Sequence, residues 1–215
     1  GNGRDTSMKG QSQVVGFTII TLIMLSITSI VFLWGQPLIE RSSEINEIDN
    51  VENQMIKLNK AITQVAYDKS QKTIGFKISH GNLIWEKKNR INYYSNSDLP
   101  YSSGEKILVE GSLTGIDNTT ATSPCYNTSV NGSIGSDESS CLYKQGSNFQ
   151  LYYPVLNDSS GNCFSIRVIP GSNAGASAGN YDIELKYNQT NTVVEANLDN
   201  GCSTIYKPEI ILNIK

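Results

Sequence analysis

VVGFTIITLIMLSITSIVFLW, residues 14–34, decides the fold. The run from Val14 to Trp34 carries no charged residue, and its Val, Ile, Leu, Phe, Met and Thr are relieved only by Gly16, Ser26 and Ser29. At about 1.5 Å of rise per residue, one helix of this length crosses the roughly 30 Å hydrocarbon layer of a bilayer. No later stretch is long and apolar enough to do so. A discarded secretory signal is the competing reading. Such a signal has a short apolar core and a small-x-small cleavage site, whereas here Trp34, Gly35, Gln36 and Pro37 lead into more helical sequence. The sequence therefore predicts a retained helix. The hydroxyls of Thr18, Thr21, Ser26, Thr28 and Ser29 are tolerable in lipid because they can bond back to the backbone, and Gly16 lets a neighbouring helix approach closely.

Outside this run the chain is polar and mildly acidic. It has 215 residues and a formal net charge of -3, with no basic tract able to follow a phosphate backbone, so nucleic acid is excluded as an expected partner. Cys125, Cys141, Cys163 and Cys202 all lie in the distal half, at spacings that match no compact zinc pattern and far from His80, the only histidine. Two disulfides in an oxidising exterior are the expectation, with three pairings open. The N-glycosylation candidates Asn118, Asn127, Asn131, Asn157 and Asn188 fit the same exterior. Arg4 and Lys9 precede the span while Arg41 follows it among acids, which slightly favours an N-terminus inside and the distal part outside. The expected location is the cell membrane or a cell-surface filament, with the C-terminal domain extracellular.

Beyond Pro37 the pattern is helical to about Lys72. Ile48, Met55 and Ile62 repeat every seven residues, and Val51, Leu58 and Val65 form a second series offset by three. Together they make an apolar seam that either packs on other subunits or covers the chain's own globular domain. Glu40, Glu44, Glu47, Asp49 and Glu52 fill the first half of this helix, and Lys57, Lys60, Lys69 and Lys72 dominate the second. The layout suits the helix dipole and would also bring acidic and basic stretches of staggered copies together. After Lys72 the period shortens to two: Ile74, Phe76 and Ile78 alternate with polar residues before a turn at His80-Gly81-Asn82. Further strands are expected at 91–94, 107–110, 149–156, 163–169, 181–187, 192–198 and 209–214, with a break or edge at Pro154. The expected fold class is α+β, a long N-terminal transmembrane and amphipathic helix followed by an all-β, sandwich-like or Greek-key outer domain. The expected divisions are 1–10, a leader or processing segment; 11–35, a membrane-spanning or filament-core helix; 36–72, an amphipathic stalk; and 73–215, the outer domain, with an exposed polar excursion at 112–140.

Lys9-Gly10-Gln11-Ser12-Gln13-Val14-Val15-Gly16, running directly into the span, resembles the start of an archaeal type IV pilin-like protein with a class III signal peptide. The resemblance covers residues 9–37 and extends loosely to the rest through the order of helix and β domain. It implies that a prepilin peptidase cuts between Gly10 and Gln11, and that the retained helix forms the core of a filament built from copies of the chain or related pilins. It also implies membrane lipid around the helix before assembly and allows a surface receptor. Many such pilins carry a glutamate as the fifth mature residue; Val15 stands there in this chain, which removes one assembly device. The runner-up is a membrane-anchored surface glycoprotein serving adhesion or cell-envelope contacts.

An enzyme is the third class. Nucleophilic catalysis with a histidine base would have to pass through His80, which sits in an apparent turn, and Asp137 with Glu138 are adjacent in polar sequence without an acid/base spacing. Asp98, Asp117, Asp158 and Asp182 make no local calcium ladder, and no glycine-rich phosphate loop is present. No catalytic residue, cofactor or metal is expected. In the tyrosine pairs Tyr93-Tyr94 and Tyr152-Tyr153, alternation puts one ring of each pair in the core and the other outside.

Overall fold

The computed structural model describes residues 6–86, 89–96, 106–109, 140–157, 162–189, 193–195 and 204–215. The chain divides into two compact units, Gly1–Asn46 and Glu47–Lys215. One helix, α1 (Thr6–Asp68), contributes to both, and Pro37 lies inside it. Pro37 has no N–H for the carbonyl one turn back, yet its fixed φ is helical, and α1 neither stops nor restarts there.

In the second unit the described strands are β1 (Gln71–Ile78), β2 (Gly81–Glu86), β3 (Arg90–Ser95), β4 (Lys106–Val109), β5 (Cys141–Gln145), β6 (Asn148–Tyr152) and β7 (Leu156–Asn157). They continue as β8 (Asn162–Phe164), β9 (Arg167–Pro170), β10 (Gly175–Ala176), β11 (Gly179–Tyr187), β12 (Val193–Glu195), β13 (Thr204–Lys207) and β14 (Glu209–Ile214). The first sheet runs β1-β11-β14-β9, antiparallel except for the parallel pair β14–β9. The second, β10-β2-β3-β6-β5-β4, is antiparallel throughout. The third, β12-β13-β8-β7, pairs β13 with β8 in parallel. This is an α+β fold in which a long N-terminal helix precedes several sheets, two of them mixed.

β1 and β2 follow one another but lie in different sheets, so the chain must turn a corner at Ser79-His80-Gly81. Gly81 makes it possible. Its φ is +153°, and a Cβ there would stand 2.5 Å from the Tyr94 carbonyl and 2.7 Å from the Tyr93 hydroxyl. Pro154 breaks the chain between β6 and β7, as its missing donor requires. Among the shorter elements, β5, β10 and β13 were not expected from the sequence.

The core explains the helix boundary. Ile48, Val51, Met55, Leu58, Ile62 and Val65, all at most 5% exposed, join one apolar cluster with Ile74, Phe76 and Ile78 of β1, Ile183 and Leu185 of β11, and Ile210 and Leu212 of β14. The same cluster takes in Leu83, Ile91, Tyr93, Leu142, Phe149 and Leu151 from the second sheet. The outer domain is therefore not all-β. The compact unit begins at Glu47, whereas the periodicity change had suggested residue 73, because the sheets' apolar faces are completed by α1 side chains.

Of the disulfides expected among Cys125, Cys141, Cys163 and Cys202, the pairing of Cys141 with Cys163, the two described cysteines, is corrected: no bridge joins them to each other. Cys141 and Cys163 are buried, and both are in the disulfide-bonded state rather than free thiols. Cys125 and Cys202 lie outside the described residues.

Candidate membrane and assembly surface

The first unit presents an apolar helix surface. From Val14 to Ile39 the large hydrophobic residues are 51–75% exposed, Phe17, Leu33 and Trp34 among the most. A Leu, Ile or Phe side chain gains about 1.5–3 kcal/mol on full burial, so a row of this length does not rest in water. The polar atoms within it are already satisfied. Thr18 Oγ1 donates to the Val14 carbonyl at 2.9 Å and Thr21 Oγ1 to that of Phe17 at 2.9 Å. The hydroxyls of Ser26, Thr28 and Ser29 donate to the carbonyls of Leu22, Met24 and Leu25, each at 2.8 Å. Each bond reaches four residues back along the helix, so no hydroxyl needs water, which is the condition for lying in hydrocarbon. Gly16 meets no heavy atom within 4 Å of a Cβ built on it, leaving its backbone open to approach. Gly10 and Gln11 fall inside α1, in the part whose side chains are not described.

The six seam residues are placed differently from the use in subunit assembly considered above. Met55, Leu58, Ile62 and Val65 are 0% exposed, Val51 2% and Ile48 5%, all against the chain's own sheets. A side chain without exposed surface has none to offer a second helix, so the contacts they make are those of domain docking.

Polar contacts fix the helix on those sheets, and the sequence pattern did not point to them. Glu47 Oε1 accepts the His80 backbone N–H at 2.7 Å, and its Oε2 lies 2.6 Å from His80 Nδ1. A carboxylate can only accept, so Nδ1 carries the proton. Tyr93 closes the corner by donating to the His80 carbonyl at 2.9 Å. Burial, and next the Glu47 charge, push the Tyr93 phenol up to about 12. Gln54 receives the Lys77 N–H at 2.5 Å and donates to the Lys77 carbonyl at 3.1 Å, covering part of the β1 edge as a neighbouring strand would. Lys144 Nζ stands 2.8 Å from Glu52 Oε2 and 5.4 Å from the centroid of the Phe149 ring. Tyr153, 1% exposed, donates to Asn59 Oδ1 at 2.9 Å, and burial raises its phenol well above the ordinary range. His80 is thus engaged with a helix carboxylate, and its side chain is 69% exposed.

The remaining candidates disperse. Tyr93 and Tyr153 are buried while Tyr94 is exposed and Tyr152 half-buried, close to the alternation expected of them. Asp182 is exposed, its backbone paired with Lys215. Asp98, Asp117, Asp137, Glu138 and Asp158 lie outside the described residues, as do Asn118, Asn127 and Asn131. Asn157 ends β7. Asn188 is half-buried, and its Nδ2 donates to Glu209 Oε2 at 3.0 Å. Comparisons with protein-family models, with curated proteins and with solved structures return no match. The class that the fold and surface define is a membrane-associated architecture, an N-terminal apolar helix joined to a β-rich domain.

Proposed function

We propose that this chain is a structural subunit of a pilus-like filament of the archaeal type IV pilin class, with its apolar helix in the filament core and its β-rich domain at the cell exterior. The observation that carries this reading is the span itself. Its large hydrophobic residues are exposed and its hydroxyls are bonded internally, so the surface calls for lipid or for other apolar helices. Under this reading a prepilin peptidase cuts between Gly10 and Gln11, and the spans pass from lipid into a bundle of copies or related pilins.

Two observations favour a second reading, a surface protein held in the membrane by the same helix and acting in adhesion or envelope contacts. The heptad seam is used up inside the chain's own domain, and Val15 replaces the charged assembly residue, so the assembly devices are fewer. Electron cryomicroscopy of material sheared from native cells, with the N-terminus of the same fraction read by mass spectrometry, separates the two. Filaments of chains beginning at Gln11 with bundled 14–34 helices support the subunit. Protein found only in membrane extracts with Lys9-Gly10 intact replaces it with the anchored form.

A further inference from the structure

A groove lies between the helix and the β1 edge in the second unit, with a volume of about 370 Å³. Ile56, Ala61 and Ile74 give it an apolar lining, and Lys57, Lys60 and Lys72 surround it with positive charge. Lys57 and Lys60 are exposed, and neither has a carboxylate partner among the described residues. Lys72 donates to the neutral Gln64 Oε1 at 2.6 Å, so its charge is also uncompensated. Of the helix acids, Glu47 holds His80 and Glu52 holds Lys144, while Asp49 and Asp68 are exposed. Three cations beside one groove repel one another unless an anion joins them.

The chain carries the complementary feature. Glu40 is exposed on α1, and its only described polar contact is the neutral amide of Gln36 at 3.2 Å. Glu44 follows four residues later in the sequence. Lys57 and Lys60 are three residues apart. A pair of acids four residues apart therefore matches in sign a pair of bases three residues apart.

We infer that the lysine-rimmed groove of one copy receives the Glu40–Glu44 turn of a second copy, so that staggered subunits are set in register by charge. This rests on the filament reading above. Complementary charge at such a contact fixes partner and register more than it adds raw affinity.

The test is charge reversal with rescue in the full chain expressed in its native cells, reading the sedimentable filament fraction and its sensitivity to salt. K57E/K60E and E40K/E44K, made separately, are each expected to lower the filament fraction about tenfold, and the combined four-site variant to restore most of it. Thermal unfolding of each variant checks that the second unit is intact. Restoration by the combined variant supports the pairing. Unchanged filaments in both two-site variants overturn it while leaving the filament reading in place, and so does a loss that the four-site variant fails to repair. A wild-type chain that yields no filament, only detergent-extracted protein, overturns both.

Discussion

Two stretches of the same helix meet opposite surroundings. From Val14 to Ile39 the large apolar residues are exposed, and from Ile48 to Ala66 the buried ones are covered by sheets of their own domain. The two differ in composition and in periodicity: residues 14–39 carry no charge, whereas Asp49, Glu52, Lys57 and Lys60 fall within 48–66. The first is apolar all round, so any protein surface covering one side leaves the other bare, and only lipid or several helices can surround it. The second concentrates its apolar residues on one stripe, with Asn53, Lys57, Lys60 and Gln64 elsewhere, and a single layer of sheets satisfies it.

The strongest way to break this comparison is to change the same property in both stretches. Met55→Asp with Leu58→Asp puts two carboxylates where no water reaches and is expected to abolish the cooperative unfolding transition of the second unit. Leu58→Ala alone is expected to cost about 2–5 kcal/mol, whereas Leu25→Ala, 60% exposed in the wild type, shifts the same transition by under about 0.5 kcal/mol. Denaturant titration in mild detergent measures both. Equal losses at positions 25 and 58 would erase the distinction.

A smaller effect concerns the polar contacts that lock the buried stretch. Tyr153→Phe leaves Asn59 without its donor inside the core and is expected to cost about 1–2 kcal/mol. The same residue sets a pH dependence. Burial raises the phenols of Tyr153 and Tyr93, the latter to about 12, above the ordinary value near 10. Between those limits the unfolded chain releases protons that the folded one retains, so their contribution is complete below about pH 10 and falls as pH rises toward about 12. Unfolding midpoints taken from pH 9 to 12 are expected to fall more gently in Tyr153→Phe than in the wild type. Parallel curves would assign the alkaline loss to other groups.

The smallest effect sharpens the exposed stretch. Thr21→Val keeps shape while removing the hydroxyl bonded to the Phe17 carbonyl, and membrane retention is expected to change by less than about 1 kcal/mol. A large loss on membrane flotation would mean that Thr21 bonds a neighbouring helix instead of its own.

Local pattern was enough wherever one element's chemistry decided the outcome. The span, the seam residues from Ile48 to Val65, the alternation at Ile74, Phe76 and Ile78, and the break at Pro154 depend on neighbours a few positions away, so periodicity and backbone chemistry reveal them. β5, β10 and β13 escaped notice because short strands carry too few alternations to stand out and form through partners remote in sequence. The contacts of Glu47 with His80, Gln54 with Lys77, Glu52 with Lys144 and Asn59 with Tyr153 were equally illegible, since nothing in the sequence near either partner specifies the other.

The sequence by itself determined that this chain has one apolar helix able to enter a membrane, an amphipathic continuation and a strand-rich remainder, because length, charge and period are local quantities. Only the tertiary structure decided that the amphipathic stripe belongs to the core of its own domain and that three sheets share that core. An apolar stripe states that it must be covered, and what covers it depends on which distant surfaces the folded chain brings within reach.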